Sequence, residues 1–298
     1  MDDLSDEHIV TLFDQLVSEG VIMYGPHTKH LVEDDGYPTY QMEFRICDAL
    51  TKKPHTVGAS NTSFSHTSKW GPGSDMFIPD PRLILCQVHS THDLALNLFC
   101  VDRPQLLMAT RDSYRRQHEA LDGEDFGAML ALLRRLHGWY VVFNCGERGG
   151  CSRLHKHMQG LRGPPHAFEK LVAAAASERH KGGDQQVPVP VPPFQFFLTR
   201  WESGFQNVQV ADLLHVYTDM LVKSRRLLHL GEKDDCPHNV LLWDDCLVVI
   251  PRRRGAWNGA SANTGGMMGS VWVPHHADVE KWLQLGCANV LRQLGVSR

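Results

Sequence analysis

Residues able to do chemistry concentrate in one stretch, residues 144–159, where a glycine-rich loop runs directly into a His-x-His-x-Gln motif. If residues 155–159 are extended, alternate side chains share one face, so His155, His157 and Gln159 would meet the same ligand. A neutral imidazole is a good nucleophile near pH 7, and its attack on phosphorus gives a phosphoramidate that a second nucleophile can discharge. We predict that His157 is the nucleophile and that a main-chain carbonyl or His155 holds its other ring nitrogen.

The glutamine that ends the motif indicates what completes the reaction. The Gln159 amide can donate a hydrogen bond but cannot give up a proton as an acid. A histidine at this position could protonate a leaving group so that water finishes the reaction. Glutamine better suits a covalent intermediate that survives until a nucleophile other than water attacks, so the motif favours transfer over hydrolysis.

The loop before the histidines predicts an anion site. Glycines at 146, 149 and 150 permit positive φ and let successive main-chain N–H groups converge on an anion, and Ser152 adds a hydroxyl. Taken alone, a glycine-rich loop is usually a turn, and a His-x-His pair is often structural or a zinc ligand. The conjunction is less common than either part. It predicts a phosphate cradle formed by Gly149, Gly150, Cys151 and Ser152.

This segment resembles the signature of the histidine triad superfamily, and its ending in glutamine resembles the transferase branch. The Asn144-Cys145-Gly146 opening is similar to that of the fungal-type diadenosine tetraphosphate (Ap4A) phosphorylases, also called ATP adenylyltransferases. The resemblance covers nearly the whole chain. It is also carried by residues 43–45, 52–54, 96–99, 106–110, 238–242, 248–252 and 261–269.

The resemblance implies both a fold and an activity. The fold would be α+β, a histidine-triad-like antiparallel sheet with flanking helices that forms an intramolecular pseudo-dimer of two unequal halves. Residues 1–180 would be the N-terminal catalytic portion, and residues 181–298 the C-terminal portion that completes the same compact domain. The activity would be phosphorolysis of Ap4A or other dinucleoside polyphosphates by inorganic phosphate, giving ADP and ATP through a nucleotidyl-His157 intermediate.

The implied site adds three residues to the motif. Lys53, Asn97 and Asn144 would bind or orient the substrate, with Lys53 a solvated surface lysine and Asn144 a turn residue as the alternatives. No organic cofactor is implied. A divalent cation such as Mg²⁺ is expected with the polyphosphate, and the histidines and cysteines show no metal-ligand spacing, so no protein metal site is predicted.

Several positions depart from the family pattern. Leu98 stands where the family has a lysine, Gly149 where it has a serine, and Arg153-Leu154 where it has glutamine-proline. Arginine could replace a neutral phosphate contact with a charged, bidentate one. Residues 75–79 are the nearest candidate for the family's asparagine-proline-phenylalanine motif.

Alternatives remain open because the cradle does not specify what lies beyond the attacked phosphorus, and the departures at Leu98 and Arg153-Leu154 motivate only the last of them, a sensor. The chain could be a dinucleoside polyphosphate hydrolase, a nucleoside diphosphate sugar phosphorylase, or a nucleotide sensor with little turnover. We interpret residues 252–254, three consecutive arginines, as a solvated basic edge without a catalytic role.

Composition limits the class of protein. The 298 residues carry 30 basic and 34 acidic side chains, a net charge of −4, which argues against a dedicated nucleic-acid binder. No stretch approaches the roughly 20 apolar residues of a membrane span, and the acidic start lacks the form of a signal peptide. We expect a protein of the cytoplasm, or of the cytoplasm and nucleus, that works as a monomer or weak homodimer. Its eight cysteines lack Cys-x-x-Cys spacing and are expected to be free thiols.

Hydrophobic periodicity predicts the elements that position the motif. Upstream we expect a helix ending near Gly20, a helix at 122–137 capped by Asp122, a turn at 75–81, strands at 40–46, 84–88, 97–101, 106–110 and 140–144, and a strand that carries His157. Downstream we expect helices at 168–179 and 210–230, a polar loop at 181–186, a proline-rich extended connector at 187–193, strands at 239–243, 246–251 and near Val271, and one closing helix through Trp282 and Leu291. This order indicates an α+β arrangement and excludes a doubly wound sheet.

Overall fold

The computed structural model of the chain describes residues 4–25, 27–34, 37–53, 69–179 and 192–298. The predicted polar loop at 181–186 and most of the proline-rich connector lie outside the described residues.

Helices and strands alternate irregularly along the described chain. The helices are α1 (Asp6–Ser18), α2 (Gly123–Arg135), α3 (Phe168–Arg179), α4 (Val210–Leu228), α5 (Thr264–Met267), α6 (His276–Leu285) and α7 (Cys287–Leu294). The strands are β1 (His27–Asp34), β2 (Tyr37–Cys47), β3 (Ile84–Val88), β4 (His92–Leu96), β5 (Leu106–Thr110), β6 (Trp139–Cys145), β7 (His157–Arg162), β8 (Phe197–Arg200), β9 (His238–Trp243), β10 (Cys246–Pro251), β11 (Ala256–Trp257), β12 (Ala260–Ser261) and β13 (Ser270–Val273).

Eight strands form the main sheet, in the order β3-β4-β5-β7-β6-β9-β10-β8, with every neighbouring pair antiparallel. The first five strands of this order precede residue 180 and the last three follow residue 192. The two sets meet where β6 pairs with β9, with Asn144 opposite Asn239. The expected α+β fold, an antiparallel sheet with flanking helices, is confirmed.

The main sheet is covered on both faces, and β6 shows this residue by residue. Val141 and Phe143 pack into a core shared with α1, α2 and α4. Tyr140 and Val142 point to the opposite face, into a core shared with β2, β13, α6 and α7. Because alternate side chains of a strand point to opposite faces, all seven residues of β6 are buried. The loop that follows β6 therefore starts from a fixed central strand.

The predicted cap of α2 is confirmed. The Asp122 carboxylate accepts hydrogen bonds from the main-chain N–H groups of Glu124 and Asp125, and the Asp125 carboxylate accepts one from the N–H of Asp122. This reciprocal pattern satisfies N–H groups that the first turn of a helix leaves without partners. The apolar face of α2, which includes Phe126 and Met129, packs on the sheet.

Two expectations about the elements were wrong, and several strands were missed. The strand predicted at 97–101 lies earlier, at β4, whose polar start His92 is buried against Asp125 of α2 and so gives no apolar signal in the sequence. The single closing helix is two helices, because Gly286 between them has φ of +76°. Strands β1 and β8 were not predicted at all.

Two further expectations concern the chain as a whole. All eight cysteines are free, as predicted. Among the described residues, no helix has both the length and the apolar character needed to span a membrane.

Candidate active site

His157 lies at the start of β7, paired with Ala109 of β5, and is 5% exposed. Its Nδ1 lies 2.8 Å from the main-chain oxygen of His155. A carbonyl can only accept, so Nδ1 carries the proton and Nε2 keeps its lone pair. Burial, together with the positive charge of Lys53, lowers the pKa of His157 to about 4. The imidazole is therefore neutral and nucleophilic near pH 7.

Both ring nitrogens of His155 are already used in hydrogen bonds. Nε2–H donates to the Thr110 carbonyl at 2.8 Å, and Nδ1 accepts from the Ser74 hydroxyl at 2.8 Å. Its ring is not among the side chains that line the cavities beside His157. The expectation that three polar side chains of the motif meet one ligand therefore fails at His155, whose contact with the nucleophile is through its main chain.

Lys156 points away from the histidines, as alternation predicts, and is completely buried. Its Nζ donates to the Asp125 carboxylate at 2.6 Å and to the Ala120 carbonyl at 2.7 Å. His92 donates to the other Asp125 oxygen at 3.1 Å. Burial alone would raise the pKa of Asp125, but the bonds from His92 and Lys156 outweigh it and lower the pKa to about 2. This ion pair fastens the motif to the start of α2.

Two adjoining cavities open beside His157. The larger, about 950 Å³, is lined by Lys53, Gly150, Cys151, Ser152 and Gln159 among the predicted residues. A small recess of about 50 Å³ is lined by Lys53, Asn97, Ser152, His157 and Gln159. The structure thus brings the predicted nucleophile together with most of the predicted binding residues.

Asn144 and Gly149 hold the loop through hydrogen bonds, and neither residue lines either cavity. The Asn144 side-chain oxygen accepts from Asn239 Nδ2 at 3.0 Å and from the Thr264 N–H at 2.8 Å and hydroxyl at 2.6 Å. The Gly149 carbonyl accepts from Asn239 Nδ2 at 2.7 Å. Asn144 joins the end of β6 to β9 and α5, and Gly149 bonds to the same Asn239, so the alternative of a turn-stabilising Asn144 describes its contacts.

The loop amides behave differently from the prediction. The N–H groups of Gly149 and Cys151 donate to the Gly146 carbonyl, and that of Gly150 donates to the Glu147 carbonyl. These three N–H groups close the turn and do not converge on an anion. Gly150 has φ of +83°, and a Cβ there would lie 2.5 Å from the Ala262 oxygen. The position therefore requires glycine.

Charged side chains take the place of those amides. Arg153, one of the departures from the family pattern, is 6% exposed, lines the small recess, and donates from Nη1 to the Ser152 carbonyl at 2.6 Å. Burial and the like charge of Arg153 lower the pKa of Lys53 to about 8. Two cations therefore share the recess that holds His157, an arrangement suited to an anionic ligand.

Gln159 is oriented by a residue that sequence reasoning missed. Gln105, which precedes β5, donates from Nε2 to the Gln159 side-chain oxygen at 2.9 Å. This bond leaves the NH₂ group of Gln159 to donate into the cavity.

Residues 75–79, the candidate for the family's asparagine-proline-phenylalanine motif, also contact the histidine motif. The Asp75 carboxylate accepts hydrogen bonds from the N–H groups of Leu154 and His155.

The interpretation of residues 252–254 as a solvated edge was wrong for Arg252, which is 0% exposed. Its guanidinium donates to the Asn239 side-chain oxygen and to the carbonyls of Gly149, Ala262, Arg254 and Leu294. Burial lowers the pKa of Arg252 to about 9, so it remains a cation at pH 7. Arg252 directly follows the buried strand β10. The apolar character of the five residues before it was the available signal in the sequence.

Other residues of the large cavity were also missed. Arg148 and Arg254 line it, Trp272 supplies flat apolar surface, the buried Trp282 packs behind the lining, and Asp278 adds a carboxylate. Arg148 lies inside the glycine-rich loop, which was its signal. The tryptophans and Asp278 carried no such signal in the sequence, because only the folding of the last 30 residues brings them to the cavity. Among the described residues, no group of three or more histidine, cysteine or acidic side chains is placed to hold a metal.

Comparisons with known proteins match two family domains that together cover most of the chain. The Ap4A phosphorylase N-terminal domain matches residues 17–174, more than half of the chain, and the ATP adenylyltransferase C-terminal domain matches residues 190–297. No curated protein sequence matches.

Solved structures show the same fold. Yeast Ap4A phosphorylase Apa2 in complex with AMP is 21% identical, with a TM-score of 0.71 over 98% of this chain and 96% of that one. The same yeast enzyme in complex with Ap4A is 20% identical, with a TM-score of 0.71 over 98% and 97% of the two chains. The domain matches, supported by the fold, establish that this chain belongs to the family of Ap4A phosphorylases and ATP adenylyltransferases.

Proposed function

We propose that this protein phosphorolyses Ap4A with inorganic phosphate to ADP and ATP through a nucleotidyl-His157 intermediate. The observation that carries the proposal is the state of His157, a neutral imidazole whose Nδ1–H is held by the His155 carbonyl. Its Nε2 is the available nucleophile, and it lies beside a recess that Lys53 and Arg153 make positive.

In the first half-reaction, His157 Nε2 attacks the phosphorus of one adenylyl group. The P–N bond forms as the bond to the next phosphate oxygen breaks, and ATP leaves. The ring gains positive charge, which strengthens the bond from Nδ1–H to the His155 carbonyl. Lys53, Arg153 and the NH₂ group of Gln159 stabilise the negative charge on the transferred group, the main task of a phosphoryl-transfer site.

In the second half-reaction, an oxygen of inorganic phosphate attacks the same phosphorus. The P–N bond breaks, His157 regains its lone pair, and ADP leaves. Gln159 cannot protonate or deprotonate a water molecule, so the residue that could turn the site toward hydrolysis is missing. The acceptor phosphate would bind in the part of the large cavity that the departing ATP has vacated.

The large cavity accounts for a substrate longer than a mononucleotide. Its volume of about 950 Å³ is near the upper end of the range for small-molecule sites, roughly 300–1,000 Å³. Arg148 and Arg254 supply positive charge beyond the recess, and Trp272 supplies surface on which a base can pack.

We propose that magnesium enters as the complex of the polyphosphate. Mg²⁺ usually combines substrate phosphates with one or two carboxylates, and Glu147 and Asp278 line the cavity. The cation would neutralise polyphosphate charge. Binding, orientation and nucleophilic attack remain tasks of the protein side chains.

Product analysis with and without phosphate tests the proposal. The protein is incubated with Ap4A and magnesium, with either phosphate or none, and ADP and ATP should appear only with phosphate. AMP and ATP without phosphate would identify a hydrolase. Faster turnover of a nucleoside diphosphate sugar would identify that substrate instead, and tight binding without product would identify a sensor.

The His157→Ala variant is the matched control for the intermediate. The wild type, given Ap4A labelled in the adenylyl phosphate and no acceptor, should form a covalent adduct, and the variant should form none. A stable adduct on the variant would exclude His157 as the nucleophile.

A further inference from the structure

We infer that Gln117 is a positioning residue that holds the main chain of His157 at the distance from the glycine-rich loop that attack requires. Gln117 lies in the segment between β5 and α2 and is 2% exposed. It lines neither the large cavity nor the recess, but it lines a third cavity, of about 590 Å³, together with Gly146 and Cys151. The inference rests on the proposed role of His157 and adds a residue that acts on it.

The Gln117 carboxamide binds both main-chain groups of His157. Its oxygen accepts from the His157 N–H at 2.8 Å, and its NH₂ group donates to the His157 carbonyl at 3.0 Å. The same NH₂ group donates to the Asn144 carbonyl at 3.0 Å. A side chain thus makes the pair of hydrogen bonds that a neighbouring strand would normally make.

Strand register explains why a side chain is needed there. β6 and β7 pair from Trp139 opposite Arg162 to Val142 opposite Gln159, and the pairing stops at that point. The same antiparallel register, continued by two residues, would place Asn144 opposite His157. Gln117 instead occupies the gap between them and bonds to both, so β6 can turn into the glycine-rich loop while His157 stays tied to it.

The main chain of Gln117 extends the same connection. Its N–H donates to the Leu154 carbonyl at 2.8 Å, and its carbonyl accepts from the Gly146 N–H at 2.9 Å. One residue therefore contacts the entry to the motif, the nucleophile and the first glycine of the loop. Because the site is buried, water does not compete for these bonds, and their loss would let His157 move relative to Lys53 and Ser152.

The expected cost is kinetic. A displacement of about 1 Å in a reacting group lowers rates by about 10²-fold. We therefore expect Gln117→Ala to lower the single-turnover rate of His157 adenylylation by about 10²-fold per active site, with little change in KM for Ap4A. Active sites are counted by the amplitude of labelling, so a variant that is merely less folded would lose amplitude and keep its rate.

Gln117→Glu keeps the shape of the side chain and provides a second, independent readout. Its carboxylate still accepts from the His157 N–H but cannot donate to the two carbonyls. Burial raises the pKa of such a carboxyl group, and the protonated form regains one donor. The rate of this variant relative to the wild type should therefore rise as the pH is lowered from 8 to 6. Ser224→Ala, which loses one buried hydrogen bond in α4, should show neither effect.

The outcomes separate the inference from the proposed function. A wild type that forms no adduct on His157 would overturn both. A labelled wild type with Gln117→Ala at the same rate per active site would overturn the positioning role alone. If Gln117→Ala does not fold, Gln117→Glu serves as the test. Its adenylylation rate relative to the wild type, if unchanged between pH 8 and 6, would overturn the positioning role.

Discussion

The Nδ1–H of His157 donates to the main-chain oxygen of His155, the residue two positions earlier, at 2.8 Å. One histidine of the motif thus fixes the tautomer of the other through its backbone, while its own imidazole binds Thr110 and Ser74. The two histidines have separable tasks: His157 reacts, and His155 holds the strand in place.

The first prediction separates those tasks. His155→Ala should lower the free energy of unfolding by about 1–3 kcal/mol, because the Thr110 and Ser74 groups lose a buried partner. It should still form the adenylyl adduct, since the carbonyl that orients His157 remains. Urea unfolding and labelling measure the two effects. Complete loss of the adduct in a folded His155→Ala protein would contradict the division of tasks.

The second prediction concerns the loop glycines. Gly138 and Gly150 both have positive φ, but a Cβ at Gly138 would meet nothing within 4 Å, whereas one at Gly150 would meet the Ala262 oxygen at 2.5 Å. Gly138→Ala should cost about 1–2 kcal/mol of unfolding free energy from backbone strain alone. Gly150→Ala should cost more and should also lower the adenylylation rate. Equal stability of the two variants in urea would argue against the close approach.

Arg252 supplies the third prediction. Arg252→Met removes the donor shared by four carbonyls and Asn239, and should lower the free energy of unfolding by about 3 kcal/mol or more. Its exposed neighbour provides the control, since Arg253→Met should change it by less than about 0.5 kcal/mol. Chemical denaturation of both variants measures this. A near-neutral Arg252→Met would mean that the Gly149 loop is held by Asn239 without the guanidinium.

The fourth prediction concerns Arg153. Arg153→Gln restores the family residue and removes a cation from the recess, so kcat/KM for Ap4A should fall about tenfold or more, the loss of one charged hydrogen bond of about 1.5–3 kcal/mol. The rate should also become less sensitive to salt. Arg111→Gln, which removes an exposed arginine near Asp93, should leave kcat/KM unchanged. Equal effects of the two variants would assign Arg153 to long-range charge alone.

The fifth prediction is a pH profile. With a His157 pKa of about 4 and a Lys53 pKa of about 8, the nucleophile is neutral and the lysine charged between those values. The single-turnover rate should therefore be flat from pH 5 to 7, fall as pH drops toward 4, and fall as pH rises through 8. Lys53→Arg should remove the alkaline fall. An inflection near pH 6.5, the ordinary histidine value, would show that His157 is not buried as described.

The same shift makes stability depend on pH. The lowered pKa of His157 stabilises the fold fully above the unfolded value of about 6.5, and this contribution, about 3 kcal/mol at most, is lost as pH falls toward 4. His238, whose buried ring also has its pKa lowered to about 4, acts in the same direction. Urea midpoints at pH 7 and 5 for the wild type and His157→Asn would isolate the His157 share.

Local patterns predicted much of the fold and part of the site. The alternation after the loop placed His157 on a strand, and the spacing of Asp122 before apolar residues placed α2 and its cap. The predictions that were wrong depended on contacts between residues distant in the chain. Strand β4 starts at His92, which is buried against Asp125. The partners of Arg252 include Gly149 and Leu294, which are more than a hundred positions apart. No pattern in the sequence indicated Gln117, because its role follows from the point at which the pairing of β6 with β7 ends.

The pairing of β6 with β9 has one more consequence. It places the joint between the first five and last three strands in the middle of the sheet, under both cores, where each set covers an edge that would otherwise offer unpaired N–H and C=O groups. Either set of strands expressed alone would expose an unpaired edge strand that is prone to aggregation. Each set of strands therefore depends on the other to pair its edge at this joint.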